Sequence, residues 1–99
     1  MITEVAELTI QPGKEKDFEA AVAEAAPLFL RARGCHGLSL HRVVETPNVY
    51  RLRVAWESVE DHMVGFRSSD DFQGWRGLVG GYFAAPPAVT HESEASRFA

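Results

Sequence analysis

Residues 37–56, GLSLHRVVETPNVYRLRVAW, alternate apolar and polar positions on both sides of a turn. Leu38, Leu40 and Val44 precede Glu45-Thr46-Pro47-Asn48, and Tyr50, Leu52, Val54 and Trp56 follow it. Period-two alternation around a proline-containing turn is the pattern of an antiparallel hairpin with one buried face. The other side of its second strand carries Val49, Arg51, Arg53 and Ala55, a surface neither plainly core nor plainly solvated.

Before the hairpin, residues 2–10 (ITEVAELTI) set Ile2, Ala6, Leu8 and Ile10 on one side and Thr3, Glu7 and Thr9 on the other, which reads as a first strand. After Gln11-Pro12-Gly13 the period changes: Phe18, Val22, Ala25 and Phe29 fall at helical spacing, acidic residues come early and Arg31 and Arg33 late. Pro27 lacks a backbone donor and crowds the carbonyl one turn back, so a kink or break is expected there, with Gly34 as the left-handed stop. After the hairpin, Ser58 is a helix cap ahead of an expected Val59, Met63, Phe66 stripe. A second helical piece after Ser69 carries Phe72, Trp75, Val79 and Tyr82, with Gly74, Gly77 and Gly81 at about one-turn intervals. Pro86-Pro87 ends it, residues 88–93 suffice for an edge strand, and residues 95–99 are expected to fray. The order is β-α-β-β-α-β, an α+β fold of ferredoxin-like type with both helices on one face of a four-stranded antiparallel sheet.

Length and composition agree with a single domain, with its core at about residues 2–93. The chain has 99 residues, 45% hydrophobic and 24% charged, enough apolar surface to offset the entropy of ordering. A formal charge of −4 provides no field for phosphate backbones, so nucleic acid and anionic membrane are not expected as partners. No apolar run approaches the roughly 20 residues of a spanning helix, and no signal-peptide order opens the chain. Cys35 is alone, which excludes an internal disulfide and suits a reducing, cytoplasmic compartment.

The QPG turn with Phe18 behind it, the segments RARGCHGL and LHRVVETPNVYRLRVAWESVEDH, and FRSSDDFQGWR with PPAVTHE together resemble the antibiotic biosynthesis monooxygenase superfamily of dimeric α/β barrels. The resemblance runs over about residues 2–93, and its most specific stretch is Trp56 to Arg76. It implies a homodimer whose sheets pack face to face. Arg51 and Arg53 would then be buried against the partner beside acids such as Glu7, with a cleft kept between sheet and helices. Members of the superfamily oxidise aromatic polyketides to quinones without flavin or metal, cleave haem, or act on small signalling compounds. The positions where haem-cleaving members carry asparagine, tryptophan and histidine hold Ala6, Phe66 and Arg76 here, so haem cleavage is rejected. Many relatives carry a histidine where this chain has Phe66, and His62 lies one turn earlier.

A cofactor-free oxygenase needs an apolar pocket and a base. Histidine is the natural base because its ordinary pKa, about 6.5, lies near working pH. His62 is accordingly the candidate proton acceptor, and Phe66, Trp75, Phe83, His91 and Arg67 are candidate substrate contacts. Each has a plainer reading: core packing for the aromatics, surface charge for Arg67 and Arg76, one structural hydrogen bond for the histidines. Tyr50 and Tyr82 are further possible donors to a quinone oxygen. His36 and His41 lack a third ligand at metal spacing, Cys35 is a reactive thiol only if His36 lowers its pKa, and no phosphate-cradling glycine motif occurs. Two functions follow: a cofactor-independent monooxygenase for a small aromatic molecule, or a non-catalytic ligand-binding or dimerisation module.

Overall fold

In the computed structural model, which describes residues 1–99, the hairpin is made by β2 (Cys35–Arg42) and β3 (Val49–Trp56), with Leu40 opposite Leu52. The free side of β3 takes β1 (Ile2–Thr9), antiparallel and in register from Ile2 opposite Trp56 to Thr9 opposite Val49. β4 (Ala88–Glu92) completes the sheet on the far edge of β1, giving the order β2-β3-β1-β4.

One face of this sheet is covered by helices. Its inward side chains are Glu4, Ala6 and Leu8 of β1, the adjoining Ile10, and Tyr50, Leu52, Val54 and Trp56 of β3, all buried. Against them lie Phe18, Val22, Ala25 and Phe29 of α1 (Glu15–Leu30) and Trp75 and Val79 of α2 (Asp70–Val79). Phe29 joins the two helical layers, with ring centroids 4.6 Å from Phe66 and 4.9 Å from Trp75. Gly74 is where α2 meets α1, since a Cβ there would stand 3.1 Å from Leu28.

Three expectations are corrected. Pro27 neither breaks α1 nor ends it: the helix runs on to Leu30, and the Arg31 N–H closes onto the Pro27 carbonyl at 3.1 Å. The proline forgoes one bond in the last turn, and burial of Phe29 keeps that turn helical. Gly34, at φ +82°, lies beyond the helix cap in the turn leading to β2. There its missing Cβ makes room for Asp61. Val44 belongs to the hairpin loop and is exposed, because the Val43 N–H already closes onto the Val49 carbonyl at 2.9 Å.

The segment after β3 also departs from its expected form. Residues 61–66 wind as a π-helical turn, marked by the Arg67 N–H donating five residues back to the His62 carbonyl at 3.0 Å. The wider turn changes the phase of the segment. His62 and Phe66 face inward, while Val59 and Met63, expected in the buried stripe, are exposed. Ser69 then caps α2 by accepting the Phe72 N–H at 3.2 Å.

The outer sheet face is bare. It carries Val5 of β1 with Arg51 and Arg53 of β3, as the alternation predicts. Arg51 meets Glu7 and Arg53 meets Glu92, each at 3.4 Å.

Candidate functional site

Glu4 is the charged member of an otherwise apolar stripe on β1, and strand alternation turns it inward with Ala6 and Leu8. It is 4% exposed. Its neighbour across the strand pair is Val54, but its carboxylate reaches Trp56, whose indole N–H donates to Oε1 at 2.9 Å. The π turn delivers His62 to the same oxygen, with Nε2 3.2 Å from Oε1. The imidazole lies flat on the Trp56 indole, with centroids 5.4 Å apart and planes 16° from parallel. That stacking fixes the direction of both ring nitrogens. Nδ1 of His62 points to β4, where Nε2 of His91 stands 2.8 Å away. His62 thus stands between the buried Glu4, at contact distance, and the half-buried His91 of the otherwise exposed edge strand, to which it is hydrogen-bonded.

Burial dominates the electrostatics. Desolvation pushes the Glu4 carboxyl up to about 7, with the Trp56 hydrogen bond and the Arg67 charge opposing it. Desolvation also takes His62 down to about 4, and the nearby His91 and Arg67 act in the same direction. Near neutral pH the imidazole is therefore uncharged. The carboxyl is poised between its two forms.

Glu4 and His62 open on a cavity of about 430 Å³ between the sheet and α2. Ala6, Leu8 and Leu52 form its sheet wall, and Phe72, Trp75 and Phe83 its aromatic wall. Arg67 and Arg76 add exposed cations to the lining, Arg67 lying over the Phe72 ring at 5.6 Å. This volume suits a small organic molecule, and mostly apolar walls with a few converging polar groups are the usual character of such sites.

Of the residues expected at a site, His62, Trp75, Phe83 and Arg67 line this cavity together. Phe66 does not: it packs behind the wall, against Trp56 at 5.5 Å and Phe72 at 5.8 Å. His91 also stays off the lining and touches the cavity only through His62. Tyr50 is committed elsewhere, donating to Glu19 at 2.6 Å. Cys35 is not activated, because burial raises its thiol pKa and His36 pairs instead with Glu57 at 2.6 Å. Glu4 is the residue that sequence reasoning missed. Its signal was available, as a carboxylate in phase with Ile2, Ala6 and Leu8 on an inward-facing stripe.

Known proteins share this architecture. A Bordetella bronchiseptica protein of known crystal structure is 59% identical, with a TM-score of 0.95 over 96% of this chain and 97% of that one. Bacillus subtilis (strain 168) YczJ is 38% identical over 91 residues, 92% of this chain and 96% of its own. SnoaB, a cofactor-independent oxygenase from Streptomyces nogalater, has the same fold, with 18% identity and a TM-score of 0.81 over 97% of this chain and 94% of that one. Residues 1–78 match the sequence pattern of the antibiotic biosynthesis monooxygenase family. The chain belongs to that family.

Proposed function

We propose that the chain is a cofactor-independent monooxygenase that oxidises a small, flat, polyketide-like phenol in the cavity beneath α2. The observation that carries this reading is an acid–imidazole pair opening onto an otherwise largely apolar chamber. Such a pair can remove a proton from an activated CH₂ group, and the resulting carbanion can pass an electron to dioxygen. The overall change is R₂CH₂ + O₂ → R₂C=O + H₂O, with dioxygen as oxidant and co-substrate. Trp75, Phe72 and Phe83 would hold the rings, and Arg67 and Arg76 would offset the negative charge of the deprotonated substrate. The Glu4–His62 pair receives the proton.

The proposal includes a homodimer joined through the bare sheet face. Val5, buried at 8% exposure, lies there among the Arg51–Glu7 and Arg53–Glu92 pairs. Dimer burial would desolvate these pairs together, so that neither arginine is left unmatched. Sedimentation should give twice 10.9 kDa. A monomer at micromolar concentration would remove the dimer. A reducing, cytoplasmic setting fits the free Cys35 thiol.

Oxygen consumption tests the activity, using dithranol (1,8-dihydroxyanthrone) as probe and protein freed of metal and flavin. Uptake with formation of the quinone is expected. A second reading, a non-catalytic binding module, draws on the fact that no buried polar side-chain atom lacks a partner, as in a purely structural network. Dithranol that binds without consuming oxygen would favour it.

A further inference from the structure

Which member of the buried pair takes the proton is decided by how the polar contacts are shared out. Oε1 of Glu4 receives both protein contacts, the Trp56 indole N–H at 2.9 Å and His62 Nε2 at 3.2 Å. Oε2 takes no hydrogen bond from the protein, and because every fully enclosed polar side-chain atom is paired, this oxygen is accessible, on the cavity that Glu4 lines. His62 is the reverse case. Its Nδ1 is hydrogen-bonded to His91 at 2.8 Å, and its Nε2 faces Glu4 Oε1 at a charge-contact distance of 3.2 Å. It has no lone pair to offer a ligand without breaking one of these contacts.

We propose that Glu4 is the catalytic base of the cavity, acting through Oε2 on a carbon or oxygen acid, and that His62 and His91 are positioning residues that hold its other oxygen. The inference rests on the acid–base reading of the cavity given above and divides the labour within it. In the ionised state the His91 Nε2–H donates to His62 Nδ1, which fixes the tautomer that turns His62 Nε2–H towards Glu4 Oε1, 3.2 Å away. The ligand's proton passes to Oε2, its electron pair stays on the ligand, and dioxygen accepts an electron from that anion. The radical and the reduced oxygen then join as a C–O bond, and the same carboxylic acid returns its proton to give the hydroperoxide R₂CH–OOH. Loss of the second C–H proton to the carboxylate with cleavage of the O–O bond leaves R₂C=O, and that proton departs with the released hydroxide as water, so no net proton has to leave the site.

The charged and titratable groups around Glu4 come from every neighbouring element: His62 and Arg67 from the π turn and its cap, Arg76 from α2, His91 from β4 and Cys35 from β2. Arg67 favours the carboxylate and burial opposes it. A carboxyl group caught between these influences near neutrality can both take and return a proton.

The test compares Glu4→Gln, His62→Gln, His62→Ala and His91→Gln with wild type, using dithranol oxidation as a function of pH. Glu4→Gln keeps the side-chain shape and should lower the rate by about 100-fold or more. His62→Ala removes a donor to Oε1, so the acidic limb of the profile should move to higher pH. His62→Gln, which retains a donor, should move it back, and His91→Gln should shift the limb without abolishing turnover. Near wild-type rates in Glu4→Gln, or loss in His62→Gln equal to that in Glu4→Gln, would overturn the proposal. A readout free of turnover runs in parallel: infrared titration through the carboxylic acid stretch that Glu4→Gln removes, with nitrogen-15 shifts reporting the His62 tautomer. A neutral His62 bearing hydrogen on Nε2 while Glu4 titrates supports the assignment. A His62 that gains the proton while Glu4 stays ionised refutes it. Should wild type fail to oxidise dithranol, the monooxygenase reading fails for that class of substrate, and the infrared and nitrogen-15 results still decide for or against Glu4.

Discussion

Replacing His62 with Gln should tilt the dependence of folding stability on pH, and the tilt can be worked from two neighbouring groups. In the folded protein the Glu4 carboxyl is raised from an ordinary 4.5 to about 7, so between these values the native state holds a proton that the unfolded chain has released. Stability therefore falls as pH rises through that window and is constant above it. With each tenfold change in proton affinity worth about 1.4 kcal/mol, the loss is about 3 kcal/mol. His62 has the opposite sign. Its folded value is lowered from 6.5 to about 4, so acidification through that range protonates the unfolded chain first and costs a similar amount. The two slopes oppose each other across the shared window, and wild type should be nearly level there. Urea titrations at closely spaced pH values would show the cancellation. Subtracting the wild-type curve removes the shared background of other carboxylates, so the His62→Gln difference is the His62 contribution with its sign reversed, falling towards neutral pH. The Glu4→Gln difference is the Glu4 contribution with its sign reversed, falling towards acid. Two variant curves parallel to wild type would show that burial does not set the proton affinities of this pair.

Three further outcomes are expected. Trp56→Phe keeps most of the ring packing but removes the donor to Glu4, so the infrared-detected carboxyl should titrate at higher pH than in wild type. Gly34→Ala places a Cβ at positive φ and 2.3 Å from Asp61 Oδ2; denaturation should show a loss of about 1–3 kcal/mol, and no loss would mean that the turn relaxes freely. Phe29→Ala empties the junction between Phe66 and Trp75 and should cost about 3–5 kcal/mol by the same measurement.

Much of the fold is legible in the letters because strand alternation is a local property. Leu52, Val54 and Trp56 sit inward and Arg51 and Arg53 outward, as the hairpin pattern requires. Phase in the segment after β3 was not legible. Val59, Met63 and Phe66 make an α-helical stripe on paper, and one additional residue in the turn sends Val59 and Met63 outward and brings His62 inward beside Phe66. Apolar periodicity cannot register such an insertion, because it is decided by Trp56 and Glu4 waiting beneath. Residue type singles out His62 and His91, but their contact depends on the pairing of β4 with β1, which places His91 opposite Glu4. Glu4 escaped notice because a charge within an apolar stripe looks like an interruption until its partners are known.

The π turn gives this chain an unusual freedom. An α-helix rotates by about 100° per residue, so deleting a single position between Asp61 and Phe66 would swing a different side chain over the indole of Trp56 while β1, β3 and α2 stay where they are. One codon gained or lost could thus exchange the group that touches the buried acid without rebuilding the chamber around it. Chemistry on this framework can change by a shift in helical phase as readily as by a substitution.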